Sequence, residues 1–316
     1  MSREKAGPPL LFLMGPTAVG KTDVAVELVA SLPLEIISVD SAMVYRGMNI
    51  GTGKPAPEVL ARAPHRLIDI REPGQTYSAA QFVKDATHAI SEIREAGRVP
   101  LLVGGTGLYF RTLRRGLSPL PAADPPIRAA LEAEADRLGL RALHARLAEV
   151  DPESAGRIHP NDPQRIQRAL EVYALTGRPM SALLDAGRGH AQRFEVDAVS
   201  LEPAERGWLH ARIAARFEDM LERGLVEEVA ALKQSGRLKP GMPALRAVGY
   251  RQVWRYLRGD CDLDELKAGA TAATRQLARR QLTWLRKEAG VTRFDCSAPS
   301  AAGRVTTYFA RHFAGA

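Results

Sequence analysis

The chain has 316 residues, 45% of them hydrophobic, and carries a net charge of +8 from 44 Lys and Arg against 36 Asp and Glu. That length accommodates one large or two ordinary domains with a real core, and no apolar run approaches the length of a membrane span, which excludes a helical membrane protein. The positive excess suits an anionic partner such as nucleic acid, although a basic but indifferent surface fits the charge equally well. Cys261 and Cys296 lack metal-ligand spacing and read as free thiols in a reducing compartment. Residues 1–8 lack a signal-peptide core and read as a short loose tail, so a cytoplasmic location is expected.

Residues 10–14 (LLFLM) predict a buried strand, and a helix-period segment begins near Lys21. Between them lies Gly15-Pro16-Thr17-Ala18-Val19-Gly20-Lys21-Thr22, the pattern G-x-x-x-x-G-K-[ST] with strand before and helix after. The glycines let backbone N–H groups surround phosphate oxygens, and the helix points its positive end at the same place. Lys21 adds a point charge for a terminal phosphate, and the Thr22 hydroxyl is a hard ligand suited to Mg²⁺. The pattern predicts a polyphosphate site. A glycine-rich turn with a buried lysine is the bland alternative, and the loop alone does not say which polyphosphate it holds.

Residues 34–39 read as a second buried strand, ending at Asp40-Ser41-Ala42-Met43. Ligands of open α/β sheets bind outside the carboxyl ends of the strands, which puts Asp40 on the rim of the phosphate loop. A carboxylate there can bind Mg²⁺ or take a proton from a nucleophile; the alternative is a turn or cap role. Residues 47–54 (GMNIGTGK) form a glycine-rich loop too irregular to assign chemistry. Residues 66–70 predict a short strand. Ser78 caps a helix that runs to about residue 96, where Gly97 ends it. Residues 99–103 are another buried strand, ending in Gly104-Gly105-Thr106 where many P-loop ATPases place a Walker B acid. That absence argues against a water-splitting motor or switch. The glycines admit a close backbone or a flat ligand, and Thr106 offers a hydroxyl or else a helix cap.

The proline-rich stretch 117–126 predicts a hinge leaving the sheet. Residues 127–190 carry helical periodicity, with Asp162 as N-cap and Pro163 in the first turn of one helix. Arg165 and Arg168 share a face there and suit either a phosphate backbone or solvent. Gly177-Arg178-Pro179 breaks that helix, and residues 194–201 alternate as a return to the sheet. The last third reads as helical. One helix over 203–222 carries Arg212 and Arg216 four apart, able to reach over a phosphate site or simply exposed. A long helix over 263–288 puts Leu277 and Trp284 on its buried stripe and Arg275 and Arg279 on a basic one. Basic stripes on three segments favour nucleic acid. These elements predict an α/β fold: a P-loop NTPase-like parallel sheet flanked by helices over 1–120 and 195–316, with an all-helical insertion domain over 121–194.

With these segments in place the chain resembles the bacterial tRNA dimethylallyltransferase (tRNA isopentenyltransferase) family. The likeness runs collinearly through GPTAVGKT (15–22), DSAMVYRGMNIGTGKP (40–55), PHRLIDI (64–70), YSAAQF (77–82) and LLVGGTGLY (101–109). It continues through GLSPLPAADPPIR (116–128), RIHPNDPQRIQRALEVY (157–173), RAVGYRQ (246–252) and TRQLARRQLTWLR (274–286). Val19 and Gly53 replace residues that are often Ser and Ala in the family, and neither is expected to touch a proposed catalytic group. A bacterial form of the family is expected to lack a C-terminal zinc-finger extension.

The resemblance implies that Gly15, Pro16, Thr17, Ala18, Val19, Gly20, Lys21 and Thr22 hold the diphosphate of dimethylallyl diphosphate, with Mg²⁺ at Thr22. It implies that Asp40 accepts the N6 proton of the adenosine following the anticodon, that Thr106 hydrogen-bonds near the reacting centre, and that Arg212 or Arg216 adds a second cation. The base would be flipped into a channel. tRNA contacts are implied at Asp40, Ser41, Ala42, Met43 and Thr106. In the insertion they fall at Arg128, Gln164, Arg165, Ile166, Gln167 and Arg168. Farther on they fall at Arg246, Ala247, Val248, Gly249, Tyr250 and Arg251, and at Thr274, Arg275, Gln276, Leu277, Ala278, Arg279, Arg280 and Gln281. The anticodon stem-loop and dimethylallyl diphosphate are the implied partners of a monomer without a membrane. A small-molecule kinase would share the P-loop and a second-strand Asp. The Gly-Gly-Thr strand end and the extended basic stripes speak against it. A non-enzymatic RNA-binding protein with a relic P-loop would not need Lys21, Thr22 and Asp40 all intact.

Overall fold

The computed structural model describes residues 8–116, 120–186 and 194–313. The expected N-terminal tail up to residue 7, residues 117–119 of the proline-rich break and residues 187–193 of the expected insertion lie outside them. The chain begins with β1 (Leu10–Met14), the loop 15–20, α1 (Lys21–Ser31) and β2 (Leu34–Val39). Then come α2 (Pro57–Arg62), β3 (His65–Arg66), α3 (Ala79–Glu95), β4 (Val99–Gly104) and α4 (Gly107–Arg115). Five helices follow: α5 (Pro125–Leu138), α6 (Leu140–Val150), α7 (Pro152–Arg157), α8 (Pro163–Thr176) and α9 (Met180–Ala186). The chain continues with β5 (Val196–Glu202), α10 (Arg206–Glu222), α11 (Leu225–Gln234), α12 (Tyr250–Tyr256), α13 (Leu263–Leu285), β6 (Val291–Asp295) and α14 (Ala301–Ala310).

Six parallel strands form one sheet in the order β3-β2-β4-β1-β5-β6. Its central strands are covered on both faces, which explains their unbroken apolar sequence. Alternate residues feed two cores. Leu11, Leu13, Ile36, Leu101 and Val199 pack with α1, α10 and α14 on one face. Leu10, Phe12, Ile37, Leu102 and Ala198 pack with α3 and α4 on the other. The register pairs both Met14 and Val39 with Gly104. The residues just past these three strand ends, Gly15, Asp40 and Gly105, therefore share one rim.

Two compact units result, Met1–Arg114 with Phe194–Ala316, and Arg115–Arg193, against the 121–194 read from sequence for the insertion. The second unit is helical throughout its described residues and has its own core around Leu143, Leu147, Ile166 and Leu170. Its local signals are satisfied as expected. Asp162 accepts the Arg165 amide at 3.2 Å, and Gly177 ends α8 at φ 65°.

Two expectations are corrected. The strand expected over 66–70 stops at Arg66, because Leu67 and Asp69 turn to φ 64° and 55°. Beyond that turn the amides of Asp69 and Ile70 donate to the carbonyls of Met43 at 3.2 Å and Val44 at 2.9 Å, and the Asp69 carboxylate takes Lys54 Nζ at 2.5 Å. The last third is not wholly helical either, since β6 extends the sheet beside β5. Its sequence VTRFD carries two charges within five residues, tolerable on an edge strand and unlike a buried one.

Candidate active site

The loop after β1 carries the first half of the site. Gly20 adopts φ 86° ahead of the first helical residue, Lys21, which turns the α1 amides toward the loop. Ala18 is also left-handed at φ 68°, a strained conformation for a residue with a Cβ. Its carbonyl accepts a hydrogen bond from Arg212 Nε at 2.9 Å, so α10 holds the loop in place. Lys21 Nζ donates to the Pro16 carbonyl at 2.6 Å. Burial, aided by the nearby Arg216 guanidinium, pulls the Lys21 pKa from 10.5 down to about 8, with Asp40 opposing the shift. A cation held this way is short of anionic partners, the condition a diphosphate corrects.

The second half comes from the neighbouring strand ends. Asp40 Oδ1 accepts the amides of Ala42 at 2.7 Å and Met43 at 3.1 Å, which fixes the carboxylate at the turn. The turn role and an acceptor role are therefore compatible, because Oδ2 has no hydrogen-bond partner among the described residues. Thr106 does not cap α4 through its hydroxyl. Its carbonyl accepts the Tyr109 amide at 3.0 Å, while Oγ1 has no partner among the described residues. The glycines beside it have a packing reason. A Cβ on Gly105 would lie 2.3 Å from Gln281 Nε2, and one on Gly107 would lie 2.3 Å from the Trp284 ring. The flat group the glycines admit is a side chain of α13.

These elements enclose a cleft of about 650 Å³. Lys21, Thr22, Asp40, Thr106, Arg212 and Arg216 all line it, together with Arg246, Ala247, Val248, Gly249, Thr274, Leu277, Arg280 and Gln281. Seven basic side chains face three carboxylates there, a balance suited to an anionic ligand. Arg212 and Arg216 differ in availability. Arg212 spends Nε on Ala18 and lies over the Trp208 ring at 4.9 Å. Arg216 makes no hydrogen bond or ion pair among the described residues, and burial holds its guanidinium below the ordinary arginine value. The Gly53 departure does touch this group: a Cβ there would lie 1.8 Å from Arg216 Nη2, so glycine gives the guanidinium its place.

Other expected contacts fall elsewhere. Tyr250, Ala278 and Ile166 are core side chains with 0%, 2% and 0% exposure, so their side chains are not RNA-facing. Each sits where an amphipathic helix turns inward, within segments whose neighbours are exposed. Leu277 is not part of the buried stripe of α13, which consists of Leu266, Ala270, Ala278 and Leu285; it lines the cleft instead. Arg251, Arg275, Gln276 and Arg279 are exposed, while Ser41, Ala42 and Met43 line the cleft. In the second unit Gln164 and Arg165 are exposed, and Gln167 Nε2 donates to the Arg128 carbonyl and to Glu132, both at 3.1 Å. Arg128 and Arg168 close on Glu171, which is fully buried. Arg128 Nε lies 2.8 Å from it, Arg168 Nη1 lies 2.6 Å from it, and the Asp124 amide donates at 2.8 Å. Burial pushes the Glu171 carboxyl up, and these donors more than reverse that, leaving it below the usual carboxylate value.

Two residues escaped sequence reasoning. Glu228 accepts the amides of Asn49 and Ile50 at 2.9 Å and the Tyr250 hydroxyl, which fixes the glycine-rich loop that carries Gly53. Lys54, 7% exposed, ties Tyr45 and Asp69 at the back of the same loop. Neither is separable from a surface charge in the sequence.

A parallel sheet with a phosphate-binding loop, a carboxylate on the next strand end and a strongly cationic cleft defines a P-loop protein that handles an anionic substrate without a Walker B acid. Residues 43–288 match the family described as IPP transferase, and the chain belongs to that family. A tRNA dimethylallyltransferase of Thioalkalivibrio sulfidiphilus is 61% identical over 284 residues, covering 90% of this chain and 89% of that one. One from Thiobacillus denitrificans is 56% identical over 305 residues, covering 96% and 97%. Among solved structures, the full-length tRNA isopentenylpyrophosphate transferase of Bacillus halodurans is 37% identical, covers 97% of each chain and superposes with a TM-score of 0.71. A eukaryotic dimethylallyltransferase acting on tRNA is 25% identical, covers 96% of this chain and 79% of that one, and gives a TM-score of 0.79.

Proposed function

We propose that this chain transfers the dimethylallyl group of dimethylallyl diphosphate to N6 of the adenosine following the anticodon in tRNA. The observation that carries the reading is the shared rim: the P-loop, Asp40 and Thr106 line one cationic cleft that lacks a Walker B carboxylate. The names of the relatives support the same activity.

The diphosphate rests on the loop amides and Lys21, with Arg216 as second cation. Arg216 is preferred because Arg212 already holds Ala18. Mg²⁺ fits this site: the Thr22 hydroxyl lines the cleft without a partner among the described residues, and the Asp40 carboxylate lines the same cleft. In a phosphate loop of this pattern the Ser or Thr hydroxyl joins substrate oxygens and water around Mg²⁺. When bound, the ion neutralises charge building on the departing diphosphate. As the C–O bond breaks, its electron pair leaves with the diphosphate and the allylic carbon gains cation character. The N6 lone pair forms the new N–C bond, and Asp40 Oδ2 takes the N6 proton. Thr106 Oγ1 hydrogen-bonds the base or the departing group. N6 is a poor nucleophile because its lone pair is delocalised into the ring, so loss of the proton to Asp40 is needed to complete the bond. The base reaches this cleft only when extruded from its stack.

The test is product analysis. Purified protein, Mg²⁺, dimethylallyl diphosphate and unmodified tRNA are incubated, and the nucleosides are weighed by mass spectrometry. A dimethylallyl adduct on the adenosine following the anticodon is expected. No adduct, with ATP consumed in the presence of a small acceptor, would move the assignment to a kinase.

A further inference from the structure

Gln281 lies in the last third of α13, among arginines that suit RNA. Its side chain does not project with them. Oε1 accepts the Thr17 amide at 2.9 Å, and Nε2 donates to the Gly105 carbonyl at 3.0 Å. The orientation is forced by chemistry, because a backbone N–H only donates and a carbonyl only accepts. One carboxamide therefore bridges the phosphate loop after β1 and the turn after β4 that delivers Thr106. No other residue type spans both with a donor and an acceptor at that length: Glu lacks the donor, and Asn is one methylene short.

The surroundings are shaped to this contact. Gly105 leaves no room for a Cβ beside Gln281 Nε2. Three residues on, Trp284 lies against Gly107, so two successive inward positions of α13 dock on the same turn. The Thr17 amide is occupied by Gln281, which leaves the amides from Ala18 to Thr22 for an anion.

Resting on the P-loop assignment above, we propose that Gln281 is a positioning residue for the diphosphate rather than an RNA contact. It sets the spacing between the loop that binds the diphosphate and the turn that carries Thr106, and it does so from the helix whose outer face carries Arg275 and Arg279. Removing it frees the Thr17 end of the loop and the Gly105 carbonyl, and anion affinity falls while RNA affinity does not.

The experiment compares wild type with Gln281→Met, which keeps the side-chain length and packing without polar atoms. Gln281→Glu, which keeps the Thr17 acceptor and sets an anion against the Gly105 carbonyl, completes the series. Binding of inorganic diphosphate with Mg²⁺ is measured by calorimetry, binding of an anticodon stem-loop RNA by fluorescence anisotropy, and unfolding by thermal melt. Gln281→Met is expected to weaken diphosphate roughly tenfold, the order of one net hydrogen bond. Gln281→Glu is expected to weaken it further, and RNA affinity is expected to stay within about twofold in both. In turnover the loss appears in KM for the allylic diphosphate before kcat. Diphosphate affinity unchanged in both variants, or RNA affinity lost while diphosphate affinity holds, overturns the proposal. Failure of the wild type to bind diphosphate would instead strike the P-loop assignment. A variant that melts well below wild type is replaced by Gly105→Ala, which displaces Nε2 from the opposite side and should give the same split.

Discussion

Lys21 offers a quantitative test of what the cleft is built to hold. In the free protein its pKa falls from 10.5 to about 8, because burial and then Arg216 disfavour the ammonium. That drop corresponds to roughly 3 kcal/mol of unfavourable charge that a bound diphosphate relieves. Binding therefore raises the Lys21 pKa and takes up a proton. The sign follows: affinity is full below pH 8 and falls as pH rises through 8, by about tenfold per unit once the free lysine is neutral. At pH 8 about half a proton should be taken up per diphosphate, and at pH 9 about nine-tenths. Calorimetry of dimethylallyl diphosphate with Mg²⁺, in buffers of different ionisation heat, reads this number directly. Lys21→Arg keeps the charge across the range and should abolish the uptake. Equal uptake in wild type and Lys21→Arg would refute the reasoning, as would none in wild type at pH 9.

Four further outcomes are expected. Asp40→Asn retains Oδ1 for the Ala42 and Met43 amides and removes only the base, so single-turnover transfer should fall by about 10²–10⁴-fold with tRNA affinity preserved. Lost affinity with normal chemistry would contradict that role. Thr22→Ala should raise the Mg²⁺ concentration needed for half-maximal rate, and an unchanged requirement would remove Thr22 as a ligand. Glu171→Gln leaves Arg128 and Arg168 without their shared carboxylate and should destabilise the helical unit by about 2–3 kcal/mol in urea. That is below the range for fully dry pairs, because the guanidiniums are 42% and 27% exposed; a change under about 0.5 kcal/mol would show the cluster to be dispensable. Arg275→Ala and Arg279→Ala should each lower the salt dependence of tRNA binding by about one unit of slope, and an unaltered slope would exclude phosphate contacts.

The phosphate loop was legible because its chemistry is local. Strand, glycines, lysine and helix start occupy one run of sequence, and the buried strand before Asp40 fixed which rim that carboxylate reaches. The parallel sheet and helical insertion were legible for a similar reason, since continuous apolar runs and helix periodicity survive without tertiary knowledge. What escaped depends on partners far along the chain. The resemblance implies Arg128 as an RNA contact and helical spacing pairs Arg168 with Arg165, yet both arginines bind Glu171, which is 43 residues from Arg128 and shows no sign in sequence of being buried. Gln281 reads as one more polar residue on a basic helix, yet its partners are 264 and 176 residues away. The strand expected over 66–70 ends at Arg66 because left-handed Leu67 and Asp69 turn the chain onto the carbonyls of Met43 and Val44, and β6 gives no strand signal because an edge strand can be short and charged. Leu277 falls at buried-stripe spacing yet lines the cleft, because helical spacing does not distinguish a core from a cleft lined by apolar atoms.

The central claim is that one cleft brings the donor diphosphate and the adenosine together between the P-loop and Asp40. A structure of the protein with Mg²⁺, a slowly reacting thiodiphosphate analogue of the donor and an anticodon stem-loop tests it most directly. The diphosphate is expected on the amides from Ala18 to Thr22, and the extruded adenosine with N6 about 3 Å from Asp40 Oδ2. A diphosphate bound away from the loop, or an adenosine whose N6 faces no carboxylate, would contradict it.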